Sequence, residues 1–186
     1  MNDKVKDAVK TIVEYIDKNN TESIKNTPTR FLKMLDEFFD GYEQNPAEIL
    51  AKTHECQSYS GNMIIVKNIE FHSMCEHHLM PFSGKASIAY ISNDHVIGLS
   101  KLARIVQVFA HRLQLQERMT AQIVESIQEN LNPKGVAIYI SAEHYCMKLR
   151  GAKENDSCST DTMILKGKFE EDESLRREFF SLINKY

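Results

Sequence analysis

Apolar residues recur every three to four positions at the start of the chain and every second position through its middle. Val5, Val9, Ile12 and Ile16 have helical spacing, and the Asn19-Asn20 pair closes that segment. Thr27-Pro28 predicts a second helix, with the threonine as N-cap and the proline at the first helical position; it carries Phe31, Leu35 and Phe38 and stops at Gly41. Asn45-Pro46 repeats the start signal for a shorter third helix. From residue 62 the period falls to two. NMIIVKNIEF and GKASIAYIS read as strands, and in the second both alternating sets, Ala86/Ile88/Tyr90 and Ser87/Ala89/Ile91, are apolar enough to predict cover on both sides. Ser100 is the expected cap of a helix with Leu102, Ile105, Val106 and Phe109 on its inner face. Met119, Ile123 and Ile127 mark the next helix, which NPKG ends. Alternation returns at GVAIYISA and at STDTMILKGKF, and Leu175, Phe179 and Leu182 belong to a closing helix. Helices, then ββααββ, then a final helix predict an α+β fold: an antiparallel sheet with helices segregated on one face. The chain is expected to be one domain, with a helical extension over 1–58 and a core over 59–186.

Composition narrows the class. A chain of 186 residues, 42% of them hydrophobic, can bury a sizeable core. Its net charge of −3 excludes a broad polyanion-binding surface, so no nucleic-acid partner is expected and phosphate recognition has to be local. The N-terminus lacks a basic stub followed by an apolar block, and nowhere do about eighteen apolar residues run together. A soluble, cytoplasmic protein with no membrane partner is expected. Cys56, Cys75, Cys146 and Cys158 read as free thiols or metal ligands, because a disulfide framework belongs to smaller secreted chains.

The stretch SMCEHHLMPF at 73–82 concentrates ligand chemistry. Cys75 and His78 have the C-x-x-H spacing that brings two ligands to one ion from a single turn of chain. His77 and His78 are adjacent and diverge, so one coordinates and the other faces elsewhere. HYC at 144–146 directly follows a strand; if the chain is still extended there, His144 and Cys146 project to the same side. Zinc on Cys75, His78 and Cys146 would leave a fourth position for water, the catalytic arrangement, whereas His144 as a fourth ligand would close the site and make it structural. The plain alternatives are a buried Cys acting as a small hydrophobe and a His satisfied by its neighbours. Cys56 and Cys158 keep that plain reading.

Anion chemistry is suggested further on. GLSKLAR at 98–104 places Gly98 and Ser100 at a helix start, with Lys101 in the first turn and Arg104 one turn along, a combination that suits phosphate groups or is simply a solvated charged face. Gln116-Glu117-Arg118 opens the next helix, where a carboxylate is favoured by the dipole. A carboxylate there could also accept two parallel hydrogen bonds from guanine, which adenine does not offer. Arg150 in KLRG could add positive charge to the metal side.

SMCEHHLMPFSG, IAYI, GLSKLAR, QLQERMTAQI and AEHYCMKLRG, in that order, make the chain resemble GTP cyclohydrolase I of the zinc-dependent type, from TESIKNTPTR to REFFSLI. The resemblance implies the T-fold and a homodecamer of two stacked pentamers, with active sites where subunits meet. It also implies zinc on Cys75, His78 and Cys146, with His77 and His144 as acid/base groups. Gln116 and Glu117 would hold guanine, and Ser100, Lys101, Arg104 and Arg150 would line the ribose and triphosphate path. The implied reaction is hydrolysis of GTP at C8 with loss of formate, giving 7,8-dihydroneopterin triphosphate, the first step of tetrahydrofolate and pterin biosynthesis. Three departures from the family's pattern are Cys158 where serine is common, with a longer KENDS loop before it, His111 where another basic residue is frequent, and Ser92 in place of proline.

Overall fold

A computed structural model describes residues 3–19, 21–55, 60–153 and 158–184; Asn20, Cys56 and the Glu154–Ser157 part of the KENDS loop lie outside the described residues. The chain divides into two compact units, residues 1–40 and 41–186.

In the first unit α1 (Asp3–Ile16) packs on α2 (Thr27–Phe38). The N-cap of α2 is Asn26, not Thr27, and it makes no side-chain cap bond, although Pro28 does sit in the first turn. The buried stripe is accordingly Pro28 and Leu32, and Phe31 is exposed. Of the spaced apolar residues in α1, Val9 is buried while Val5, Ile12 and Ile16 face outward.

The second unit runs α3 (Pro46–Leu50), β1 (Thr53–Glu55), β2 (Met63–Cys75), β3 (Pro81–Ile91), β4 (His95–Ile97), α4 (Leu99–Ala110), β5 (Leu113–Gln114), α5 (Gln116–Leu131), β6 (Gly135–His144), α6 (Tyr145–Lys148), β7 (Thr160–Gly167), α7 (Lys168–Glu171) and α8 (Glu173–Ile183). Its main sheet has the order β5-β2-β3-β6-β7, antiparallel except where β5 joins the end of β2 in parallel, and β1 and β4 form a separate antiparallel ribbon. The four long strands and the two helices between them give the expected ββααββ order, an α+β arrangement. Local chemistry sets the element ends. Asn45 caps α3 by accepting from the Ala47 amide at 3.0 Å, Asn132 ends α5 in the left-handed region, and Asp172 caps α8 and separates it from α7. Two boundaries differ from expectation. Gly98, not Ser100, occupies the N-cap of α4, and Lys168-Phe169 are already helical because the chain turns at Gly167. Ser92, where the family pattern has proline, donates its amide to Asn62 O at 3.2 Å, a bond proline cannot make.

The two sheet faces carry separate cores. Ile88, Tyr90, Val136, Ile138 and Ile140 pack with Leu102, Ile105, Val106, Met119, Ile123 and Ile127 from α4 and α5. On the opposite face Ala89, Ile91 and Ala137 meet Phe169 and Phe179, so the closing helices cover one end of that side. Its other end bears Glu70, His72, Ser83, Lys85 and Glu143. Among the described residues no helix is long and apolar enough to cross a membrane.

A bulge decides which residues of the second half of β2 face the α4/α5 core. Val66 pairs with Ile88 and Ile69 with Ala86, so Lys67 and Asn68 stand opposite the single residue Ser87. Before the bulge the even residues Ile64 and Val66 face the helices; after it the odd residues Ile69, Phe71 and Cys75 do. Asn68 absorbs the extra residue in the left-handed region at φ 55°, where asparagine is tolerated and a β-branched side chain is not. Its amide donates to Ser87 Oγ at 3.4 Å, and Lys67 Nζ donates to Leu182 O at 2.9 Å, tying the bulge to the last turn of α8. Asn68→Val is expected to lower stability by about 1–2 kcal/mol and Asn68→Gly to be close to neutral, both checked by denaturant unfolding.

Candidate metal centre and active site

Three element ends converge at one edge of the α4/α5 core: the last residue of β2, the start of β3 and the last residue of β6. Cys75 ends β2, and the chain reverses at once. The Cys75 amide donates to Met80 O and the Leu79 amide to Cys75 O, both at 2.9 Å, with Leu79 in the left-handed region. That tight turn returns the side chain of His78 to Cys75, with Sγ and Nδ1 3.8 Å apart. Cys146 arrives from α6, not from extended chain as the spacing argument supposed, because the strand stops at His144 and Tyr145 begins a helical turn.

The ligand atoms of Cys75, His78 and Cys146 all lie within 4.8 Å of one another. Metal–ligand distances of about 2.3 Å to sulfur and about 2.0 Å to nitrogen put tetrahedral ligands about 3.6 Å apart, close to the observed sulfur–nitrogen separation. Two buried thiols beside an exposed imidazole are a donor set suited to a borderline ion such as zinc. Burial, and next the adjacent Cys75 thiol, push the Cys146 thiol above its ordinary range, while Arg150 pulls it down. A divalent cation between the two sulfurs would reverse that unfavourable pairing.

His77 and His144 flank the cluster in different settings. His77 is exposed, its ring edge-on to His78 at 6.0 Å. His144 is cross-strand partner to Phe82, and register places the two rings in a parallel stack at 4.6 Å and 4°. Its Nε2 lies 2.8 Å from Gln116 Oε1. Burial pushes this imidazole below its ordinary pKa, and the nearby Glu117 carboxylate opposes that.

The remaining predicted residues divide into two groups. Glu117 is exposed in the first turn of α5, beside His144, and Arg150 is exposed beside Cys146. Gln116 is 1% exposed, with its amide engaged inside the subunit rather than presented to solvent. Lys101 and Arg104 line a different cleft with Glu43, Gln44, Asn45, Glu48, Ile49 and Lys52. Lys101 Nζ there donates to Ile49 O at 2.5 Å, at the C-terminal end of α3. Ser100 is exposed in the first turn of α4.

Sequence reasoning gave Arg118 no role, and it proves to brace the turn that carries Cys75 and His78. Its Nη2 donates to Glu76 Oε2 and to Leu113 O at 3.0 Å, and its Nε donates to Gln114 Oε1 at 3.2 Å. Glu76 stands between Cys75 and His77, its amide donating to Gln114 O at 3.0 Å. Hydrogen bonding from Arg118 holds the Glu76 carboxyl below its usual range. The i, i+42 separation left no local sequence signal for this pair.

Comparison with known proteins identifies relatives along nearly the whole chain. The family model for GTP cyclohydrolase I matches residues 5–184. A GTP cyclohydrolase 1 of Campylobacter jejuni is 47% identical over 99% of this chain and 96% of that relative. GTP cyclohydrolase 1 of Clostridium perfringens is 45% identical over 98% of this chain and 97% of the relative, and that of Rickettsia bellii 45% over 98% and 95%.

Bracing from outside the ligand set typically changes metal affinity about 10- to 100-fold. Arg118→Met is therefore expected to weaken zinc binding by about that factor while the far-ultraviolet circular dichroism stays unchanged. Titration against a chromophoric chelator measures it.

Proposed function

The chain belongs to the GTP cyclohydrolase I family, an enzyme class, and we propose that it is a zinc enzyme that hydrolyses GTP at C8, releases formate and forms 7,8-dihydroneopterin triphosphate. The product feeds tetrahydrofolate and pterin biosynthesis. The observation that carries this reading is the convergence of Cys75, His78 and Cys146, whose ligand atoms lie within 4.8 Å of one another, with His144 held on Gln116. Zinc supplies Lewis acidity at neutral pH when bound by those three residues.

The chain's own groups then do the rest. Opening the five-membered ring and releasing formate require protons to be moved more than once, and His77 and His144 are the acid/base pair for that work. Glu117 accepts from guanine N1–H and the N2 amino group, a bidentate pairing that fixes the purine edge. Arg150 adds positive charge on the metal side, and Ser100, Lys101 and Arg104 receive the ribose and triphosphate. Because Lys101 and Arg104 line a cleft separate from the metal cluster, we assign the complete site to an assembly of copies, as expected for a decamer of two pentamers. Strand edges support the same reading. Among the described residues β2 has a strand on its outer side only at Met74 and Cys75, and β7 pairs with β6 alone. Edges of this length favour strand-to-strand association.

Two measurements test the reading. Zinc-quantified protein incubated with GTP is expected to release formate and, after oxidation, to show pterin fluorescence; Cys146→Ser should lose the zinc and both signals while remaining folded. Formate release by that metal-free variant would end the zinc assignment. Glu117→Ala should keep its zinc and lose on the order of 100-fold in kcat/KM for GTP, from two hydrogen bonds to a charged group.

A further inference from the structure

Gln116 sits at the head of α5 with a side chain whose every polar contact has a determined direction. Its Nε2 lies 2.8 Å from Thr160 O, 3.3 Å from Ile140 O and 3.1 Å from Thr162 Oγ1. Two of those partners are backbone carbonyls and can only accept, so the nitrogen end of the amide faces them; turned the other way, oxygen would meet oxygen in a buried site. The hydroxyls agree with this. Thr120 Oγ1 donates to Gln116 O at 2.7 Å, so in its 2.8 Å contact with Thr162 it is the acceptor and Thr162 the donor. Thr162 therefore keeps its lone pairs for the glutamine nitrogen.

The amide oxygen is thus left pointing at His144 Nε2, 2.8 Å away. An amide oxygen only accepts, so His144 Nε2 has to carry the proton. A half-turn of the ring would keep the parallel stack on Phe82 but put Cε1 in place of Nε2 against that oxygen, so the 2.8 Å contact fixes the ring as placed.

Resting on the proposed role of His144 in proton transfer, we propose that Gln116 is a positioning residue that fixes the His144 tautomer and not a guanine contact. Nε2 is the protonated nitrogen and Nδ1 the one that serves the reaction. The imidazole takes a proton from the reacting system at Nδ1, becoming an imidazolium whose Nε2–H stays on Gln116, and returns that proton from the same atom. The amide's orientation rests on the two backbone carbonyls, Thr160 O and Ile140 O, and Thr162 Oγ1 is an additional acceptor that this orientation does not require.

The deciding experiment is 15N NMR of the zinc-loaded protein with 15N-labelled histidine rings at about pH 8.5, well above the ordinary imidazole range. The His144 signals are assigned by their loss in His144→Asn. The expected pattern is Nε2–H with unprotonated Nδ1; an Nδ1–H ring, a mixture of tautomers or a doubly protonated ring overturns the proposal. The spectrum is read without turnover, so a wild-type protein that fails to convert GTP defeats the proposed function and leaves the tautomer assignment standing. Kinetics supply a second arm. Gln116→Met removes the acceptor and is expected to lower kcat on the order of 100-fold, with KM for GTP within about threefold. Thr162→Val removes one partner of the amide nitrogen but leaves the oxygen on His144, and should keep both kcat and the tautomer. Equal loss of kcat in both variants would indicate a merely structural part, and a raised KM with unchanged kcat for Gln116→Met would return Gln116 to the guanine edge; either outcome overturns the proposal.

Discussion

The bulge at Lys67-Asn68 sets the parity of β2, and with it the side of the sheet on which the chemistry is assembled. Side chains alternate along a strand, so one residue more or less moves every later one to the other face. Without Asn68 in its left-handed conformation, Ile69, Phe71 and Cys75 would leave the α4/α5 core. Cys75 would then face away from Phe82 and Cys146, which belong to that same core. The candidate metal cluster is therefore a consequence of sheet register as much as of the Cys-x-x-His spacing. The same irregularity places Lys67 against the last turn of α8, where a cation is favoured by the helix dipole.

Beyond the bulge, register continues to do the positioning. Phe82 and His144 are directly paired residues of β3 and β6, and this pairing delivers the parallel ring stack. An aromatic pair of this kind adds about 0.5–1.5 kcal/mol to the burial of its area, but its larger effect here is orientational. His144 is held by a ring on one side and an amide oxygen on its edge, whereas His77 is exposed on a tight turn. Two histidines close to one candidate metal centre thus stand in contrasting environments, one rigid and half-buried, one in water. Environments that separate like groups are a common means of assigning them different parts in acid/base chemistry.

Much of this was legible in the residues themselves. The periodicities of the inner faces of α4 and α5 and of the alternating strands β3 and β6 match the observed core, because these elements are long and their apolar positions regular. Short elements escaped. β1, β4, β5 and α6 have between two and four residues each, too few for any period, and they exist through tertiary pairing. Caps were misplaced by one residue at Asn26 and by two at Gly98, since neither helix start uses a side-chain cap bond that its composition would advertise. The bulge left a trace in the shift from Ile64/Val66 to Ile69/Phe71 across Lys-Asn, but only a known partner strand gives that shift a meaning. At the site, the Cys/His motif was visible as a motif. The Glu76–Arg118 brace and the commitment of the Gln116 amide were not, because both depend on partners 24 to 46 residues away.

The position of Lys101 is consistent with a phosphate role even though its ammonium rests on a carbonyl. Ile49 O is among the last acceptors of α3, a place where a lysine is favoured by the helix dipole. That contact is between a charge and a neutral group. A phosphate oxygen offers a charge-assisted bond of roughly twice the strength of a neutral one, so under the proposed function a triphosphate would draw Lys101 from Ile49, with Arg104, exposed one turn along, left for a second phosphate. On that reading the contact with Ile49 O would order the cation without a charge partner to hold it there. Glu43 and Glu48 in the same cleft keep its net charge low, so Lys101 and Arg104 do not repel each other there unopposed.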